Sequence, residues 1–135
     1  MVARTDDWLS ELVRGRMVAQ ADADPTTRAW LDEAGGITLY GTIGHEAVLR
    51  PDGSVWLYHD DNNPLGQWKW RQASDRERMG ALVIASERIP ELHRLVPSRP
   101  PEVANCVRCA GTGRIFETGI CPECGGLGWP FDAAT

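Results

Sequence analysis

All four cysteines of this chain fall within the stretch CVRCAGTGRIFETGICPECGGLGW, residues 106–129. They form two pairs, CVRCAGTG and CPECGGLG, and both fit C-x-x-C-x-G-x-G. Two such knuckles deliver four thiolates, from Cys106, Cys109, Cys121 and Cys124, to one tetrahedral ion. Matched pairs read as a metal site in a chain without a secretory leader, because reduced thiols belong to the cytoplasm. A catalytic zinc needs an open coordination position, and four cysteines fill all of them. The expected cofactor is therefore one structural Zn²⁺. The glycines allow tight turns with positive φ, which aim backbone N–H groups at the sulfurs. Residues 114–120, RIFETGI, are expected to form a hairpin between the knuckles, with Ile115 and Phe116 covering the site. Iron is the alternative ion, since CPECG is similar to one rubredoxin knuckle.

The doubled pattern resembles the cysteine-rich zinc-binding domain of DnaJ-type chaperones, which carry four such repeats around two zinc ions. Two repeats here imply one ion. The resemblance covers residues 106–128 only. The His-Pro-Asp tripeptide of the J-domain is absent, so co-chaperone activity does not carry over. In the family the paired repeats are interrupted, whereas here they are adjacent.

The rest of the chain carries ordinary folding signals. Thr5 caps a first helix through Trp8, Leu9, Leu12 and Val13, which Gly15 is expected to end, leaving 17–23 as a loop. Asp24-Pro25 reads as an N-cap with proline at the first helical position, and Gly35-Gly36 closes that second helix. GITLYGTIG then alternates apolar and polar residues as a strand, ending at Ile43. Two further apolar runs flank the turn Pro51-Asp52-Gly53-Ser54 and predict a β-hairpin. WKWRQ places Trp68 and Trp70 on one face of a fourth strand. Ser74 with Glu77 forms a capping box for a third helix. On that helix Met79, Leu82, Val83, Ser86 and Ile89 share a face, and Pro90 breaks it. PSRPPEVAN reads as a stiff, extended linker.

The expected fold is α+β: an antiparallel four-stranded sheet with helices on one face, plus a small C-terminal zinc-knuckle hairpin. The expected domains are a body at 1–96, a Pro-rich linker at 97–105 and a zinc-binding module at 106–131.

Charge bears on the partner. Residues 1–66 hold five arginines against eleven acids, residues 67–101 seven basic residues against four acids, and residues 102–135 two against four. An acidic front half argues against a general nucleic-acid binder and suits a basic protein partner. No run of residues is long and apolar enough to span a bilayer. The favoured reading is a cytoplasmic, non-enzymatic protein that binds another protein, as an inhibitor or adaptor. A bacterial toxin-immunity protein is one concrete form. Candidate contact residues are Asp60, Asp61, Trp68, Trp70 and Trp129. One alternative is a nucleic-acid-binding regulator using the Arg71–Arg99 region. Another is a hydrolase-like enzyme gathering His45, Glu46, His59 and Asp60 at strand ends.

Overall fold

The computed structural model describes residues 7–42, 45–59, 69–115, 119–121 and 123–131. The expectations placed on Thr5, Ile43, Asp60, Asp61, Trp68 and Phe116 lie outside these residues. The element order is α1 (Asp7–Ala23), α2 (Pro25–Ala34), β1 (Ile37–Thr42), β2 (His45–Leu49), β3 (Val55–His59), β4 (Trp70–Gln72), α3 (Asp75–Ala85), a 3₁₀ helix (Pro90–Leu95), β5 (Arg114–Ile115) and β6 (Gly119–Ile120). The fold is α+β, with a four-stranded antiparallel sheet in the order β1-β2-β3-β4 and a two-stranded hairpin, β5-β6.

The chain divides into two compact units, residues 1–72 and 73–135. This division groups α3 with the cysteines, whereas the sequence pattern had grouped it with the sheet.

In the first unit α1 runs to Ala23, so Gly15 does not end it and 17–23 is helical. An interior glycine costs a helix only about 1 kcal/mol, and MVAQADA beyond it is rich in good helix formers. The stop comes at Asp24, whose extended backbone (φ −160°) precedes Pro25. Its carboxylate accepts N–H bonds from Thr26 and Thr27, each 3.3 Å, and caps α2. Gly35, at φ 70°, closes α2 in the left-handed conformation.

The β2–β3 turn forms at the residues expected. Gly53 N–H donates to the Arg50 carbonyl, and the Asp52 carboxylate accepts from Ser54 N–H at 2.9 Å and its hydroxyl at 2.6 Å. A bulge between Thr38 and Tyr40 interrupts the β1–β2 register. Trp30 of α2 lies against the sheet. Its indole N–H donates to the Thr38 hydroxyl, its ring stacks on Trp70 at 5.6 Å, and it meets Tyr58 edge-on at 5.1 Å. The Arg50 guanidinium sits 4.4 Å from the Trp56 ring centre and donates to the Ala34 carbonyl, an otherwise unpaired end of α2. Leu9, Val13, Leu31, Ile37, Leu39, Val48, Leu49 and Val55 are buried.

In the second unit the capping box at Ser74 and Glu77 forms in both directions. The segment expected to be extended turns instead. Val103 N–H bonds to the Pro100 carbonyl across Pro101-Glu102, Glu102 has φ 68°, and the Arg99 guanidinium grips the Val103 carbonyl. Proline followed by a positive-φ residue is type II turn geometry, which outweighs the stiffness of the flanking prolines. Among the described residues no helix is long and apolar enough to cross a membrane.

Candidate metal centre

The two knuckles are copies of one structure, offset by 15 residues. Cys106 N–H donates to the Gly128 carbonyl, and Cys121 N–H donates to that of Gly113. Gly113 N–H points at the Cys109 sulfur (3.2 Å), and Gly128 N–H points at that of Cys124 (3.3 Å). A Cβ on Gly113 would lie 2.4 Å from the Gly126 carbonyl oxygen, and one on Gly128 would lie 2.5 Å from that of Gly111. The last glycine of each motif therefore presses on the middle glycine of the other, and only a residue without a side chain fits there. The residue before each first cysteine covers its own motif's middle glycine: Asn105 over Gly111, and Ile120 over Gly126. The sequence pattern is thus the imprint of a pseudo-twofold.

This symmetry gathers the four sulfurs. Their ligand atoms all lie within 4.8 Å of one another, and all four cysteines are buried. Cys106 and Cys121 Sγ are 3.8 Å apart, and Cys109 and Cys124 Sγ are 3.7 Å apart. Four sulfurs held about 2.3 Å from one centre define a tetrahedron with edges of about 3.8 Å. Disulfide sulfurs would stand at about 2.05 Å. The donor set, spacing and burial therefore fit one tetrahedral, thiolate-preferring ion. Ile115 and Leu127 pack against the cluster.

The Cys109 and Cys124 thiols, with sulfurs 3.7 Å apart, titrate as a pair. Burial pushes Cys109 up, but the N–H donors of Gly113 and Gly111, with the Cys106 thiol, bring it down to about 7. Burial pushes Cys124 up to about 12 despite the N–H groups of Gly128 and Gly126. The amide donors help the Cys109 proton to leave, while the Cys124 thiol is held protonated by its dry surroundings. A cation held by the four cysteines would supply the missing compensation.

α3 packs directly on knuckle 2. A Cβ on Gly125 would lie 3.0 Å from the Arg76 carbonyl oxygen and 3.6 Å from Met79 Cβ. One on Gly126 would lie 3.5 Å from Val83 Cβ, and one on Gly80 would lie 3.1 Å from Ile120 Cγ2. Residues 76, 79, 80 and 83 form one helical stripe. Arg114 of β5 pairs with Glu87, just beyond α3, and the Arg76 guanidinium lies 5.2 Å from the Phe131 ring centre.

The expected single face of α3 therefore divides. Leu82, Ser86 and Ile89 are buried, while Met79 and Val83 are half-buried on the knuckle stripe. Sequence reasoning missed Gly80, Ile120, Gly125 and Gly126 as docking residues. The signal was present in CysGlyGly of knuckle 2 against CysAlaGly of knuckle 1.

Trp129 is only 4% exposed, so it has little surface for a partner. Trp70 is half-buried within the cluster of Trp30 and Tyr58. His45 pairs with His59 across β2 and β3, but Glu46 pairs with Tyr58. Glu46 therefore faces the side opposite His59, because neighbouring strand residues alternate, and the two do not form one site. In the Arg71–Arg99 region, Arg99 grips a backbone carbonyl and Arg76 lies over Phe131. No family model, curated protein or solved structure matches this chain.

Proposed function

We propose that this chain is a zinc protein of the cytoplasm that works by binding another protein, as an inhibitor or adaptor. The observation that carries the metal assignment is the four-cysteine geometry: four buried sulfurs, two of whose separations are 3.7 and 3.8 Å. Four thiolates leave no position for a substrate, so the ion's role is to hold the fold. The DnaJ-type likeness of the knuckles supports zinc over iron.

The protein-binding role rests on charge. The excess of acids in residues 1–66 favours encounter with a basic partner. A bacterial toxin-immunity protein is the concrete form we favour, since such a protein neutralises its target by occupying it and needs no chemistry of its own.

Two measurements test this reading. Elemental analysis of the purified chain should give one zinc per molecule, and stoichiometric iron would replace zinc with a rubredoxin-like centre. Affinity capture from the host lysate, with and without nuclease, should yield one stoichiometric protein that survives nuclease. Nuclease-sensitive recovery would overturn the reading in favour of nucleic acid.

A further inference from the structure

The pseudo-twofold makes two equivalent outer faces, one on each knuckle, and α3 fills only one of them. Knuckle 2 takes α3 at Gly125, which is buried. The equivalent residue of knuckle 1 is Ala110, which shares the left-handed backbone (φ 54° against 62°) but is exposed. A groove of about 620 Å³ runs along this face, lined by Arg108, Cys109, Ala110, Thr112, Arg114 and Ile115.

We propose that knuckle 1 carries a second helix seat, matching the one that α3 occupies, and that an acidic amphipathic helix of a partner protein fills it. The proposal rests on the protein-binding reading above and names a surface for it.

Charge identifies the occupant. Glu123 of knuckle 2 lines one cleft with Arg76 of the helix seated there. The equivalent residue of knuckle 1 is Arg108, with the sign reversed. Arg108 makes no ion pair among the described residues. At the groove's other end Arg114 already holds a carboxylate, that of Glu87. A helix seated on knuckle 1 as α3 sits on knuckle 2 would thus bring an acid where α3 brings Arg76. The Ala110 methyl moves its backbone outward by only a few tenths of an ångström, judging from the 3.0 Å approach that a Cβ at Gly125 would make. Asn105 stands where knuckle 2 has Ile120, so the apolar contact comes from Ile115, half-buried in the groove.

The test uses the zinc-loaded full chain, labelled with ¹⁵N, and a synthetic peptide. The peptide copies residues 74–86 with Arg76→Glu and Arg78→Glu, which keeps the docking stripe and makes it acidic. Isolated helices this short are marginal, so weak binding is expected. Saturable shifts at Arg108, Ala110, Thr112 and Ile115, weakened at least tenfold by Arg108→Glu or by Ala110→Asp, would support the seat. Zinc content of each variant checks that the knuckles remain loaded. An absence of shifts up to millimolar peptide would overturn it. So would equal binding by both loaded variants, or shifts confined to Ile120, Gly125 and Gly126. An RNA oligonucleotide that shifts knuckle 1 where the peptide does not would also overturn it. A partner captured from lysate while the peptide leaves knuckle 1 silent removes the seat and leaves the protein-binding reading standing. Peptide binding at knuckle 1 with no captured partner keeps the seat and removes the inhibitor or adaptor role.

Discussion

The two compact units solve the same problem by different means. Residues 1–72 build a sheet, two helices and an ordinary apolar core, with Leu9, Val13, Leu31, Leu39 and Leu49 buried. In residues 73–135 the knuckles have two-residue strands, eight-residue motifs and a centre made of four thiols. A segment that small buries too little apolar surface to offset its ordering entropy. Packing holds the first unit, and in the second much of that work would pass to an ion held by the four cysteines.

Removing the ion should have the largest effect. Structural zinc contributes on the order of 10 kcal/mol in knuckle-sized modules. Chelation, or Cys121→Ser, should collapse the amide dispersion of residues 103–131. It should also release the Met79 and Val83 stripe of α3, because Ile120, Gly125 and Gly126 form its seat. Retention of those α3 resonances after chelation would show that the seat persists without metal.

The counterpart in the first unit is Leu49→Ala. Leu49 is fully buried, and such a truncation costs about 2–5 kcal/mol. Urea denaturation should read that loss while zinc content stays at one per chain. A variant that loses zinc as well would break the distinction between the units.

Glycine sharpens it further, because one substitution takes opposite signs. Gly113→Ala sets a methyl 2.4 Å from the Gly126 carbonyl oxygen at a φ of 78°, so about 2–4 kcal/mol is lost through strain and overpacking. Gly15→Ala in α1 meets nothing within 4 Å, and should gain about 0.5–1 kcal/mol by restricting the unfolded chain. Thermal melts of the two variants should move in opposite directions.

Signals that act over a few residues were legible before any coordinates. The paired knuckles, the Asp24 and Ser74 caps and the Pro51–Ser54 turn are each made by neighbours in the chain. Some local signals were outweighed by others nearby: Gly15 looks like a helix end until the helix formers beyond it are weighed, and Pro100-Pro101 looks extended until Glu102 turns. Signals that depend on distant partners were not legible. Met79 and Val83 look like one core face with Leu82, because hydropathy does not say which neighbour a face meets. The docking of α3 was written in Gly125, where knuckle 1 has Ala110, but only the pseudo-twofold makes that single difference readable.

Acid should separate the units most finely. Metal binding displaces thiol protons, and Cys109 in the metal-free cluster holds its proton below about 7. Below that pH the ion must displace one more proton than above it, so affinity falls more steeply as acid is added. The first unit depends on carboxylates instead. Hydrogen bonds from the Ser54 hydroxyl and N–H hold the Asp52 carboxyl below its ordinary 3.8, and the Thr27 hydroxyl and Thr26 N–H do the same for Asp24. A group whose folded value is lowered stabilises the fold above its unfolded value and loses that contribution as pH falls through the folded one. These carboxylates therefore contribute fully above about pH 4 and lose that contribution only below it, and each, being screened and exposed, contributes little. On an acid titration followed by amide resonances, the knuckles should go first and the β2–β3 turn should persist to lower pH. Asp52→Asn keeps an acceptor but removes the titration, and should flatten the last part of the acid limb by a small amount. If that variant leaves the limb unchanged, the turn is held by its backbone bonds alone.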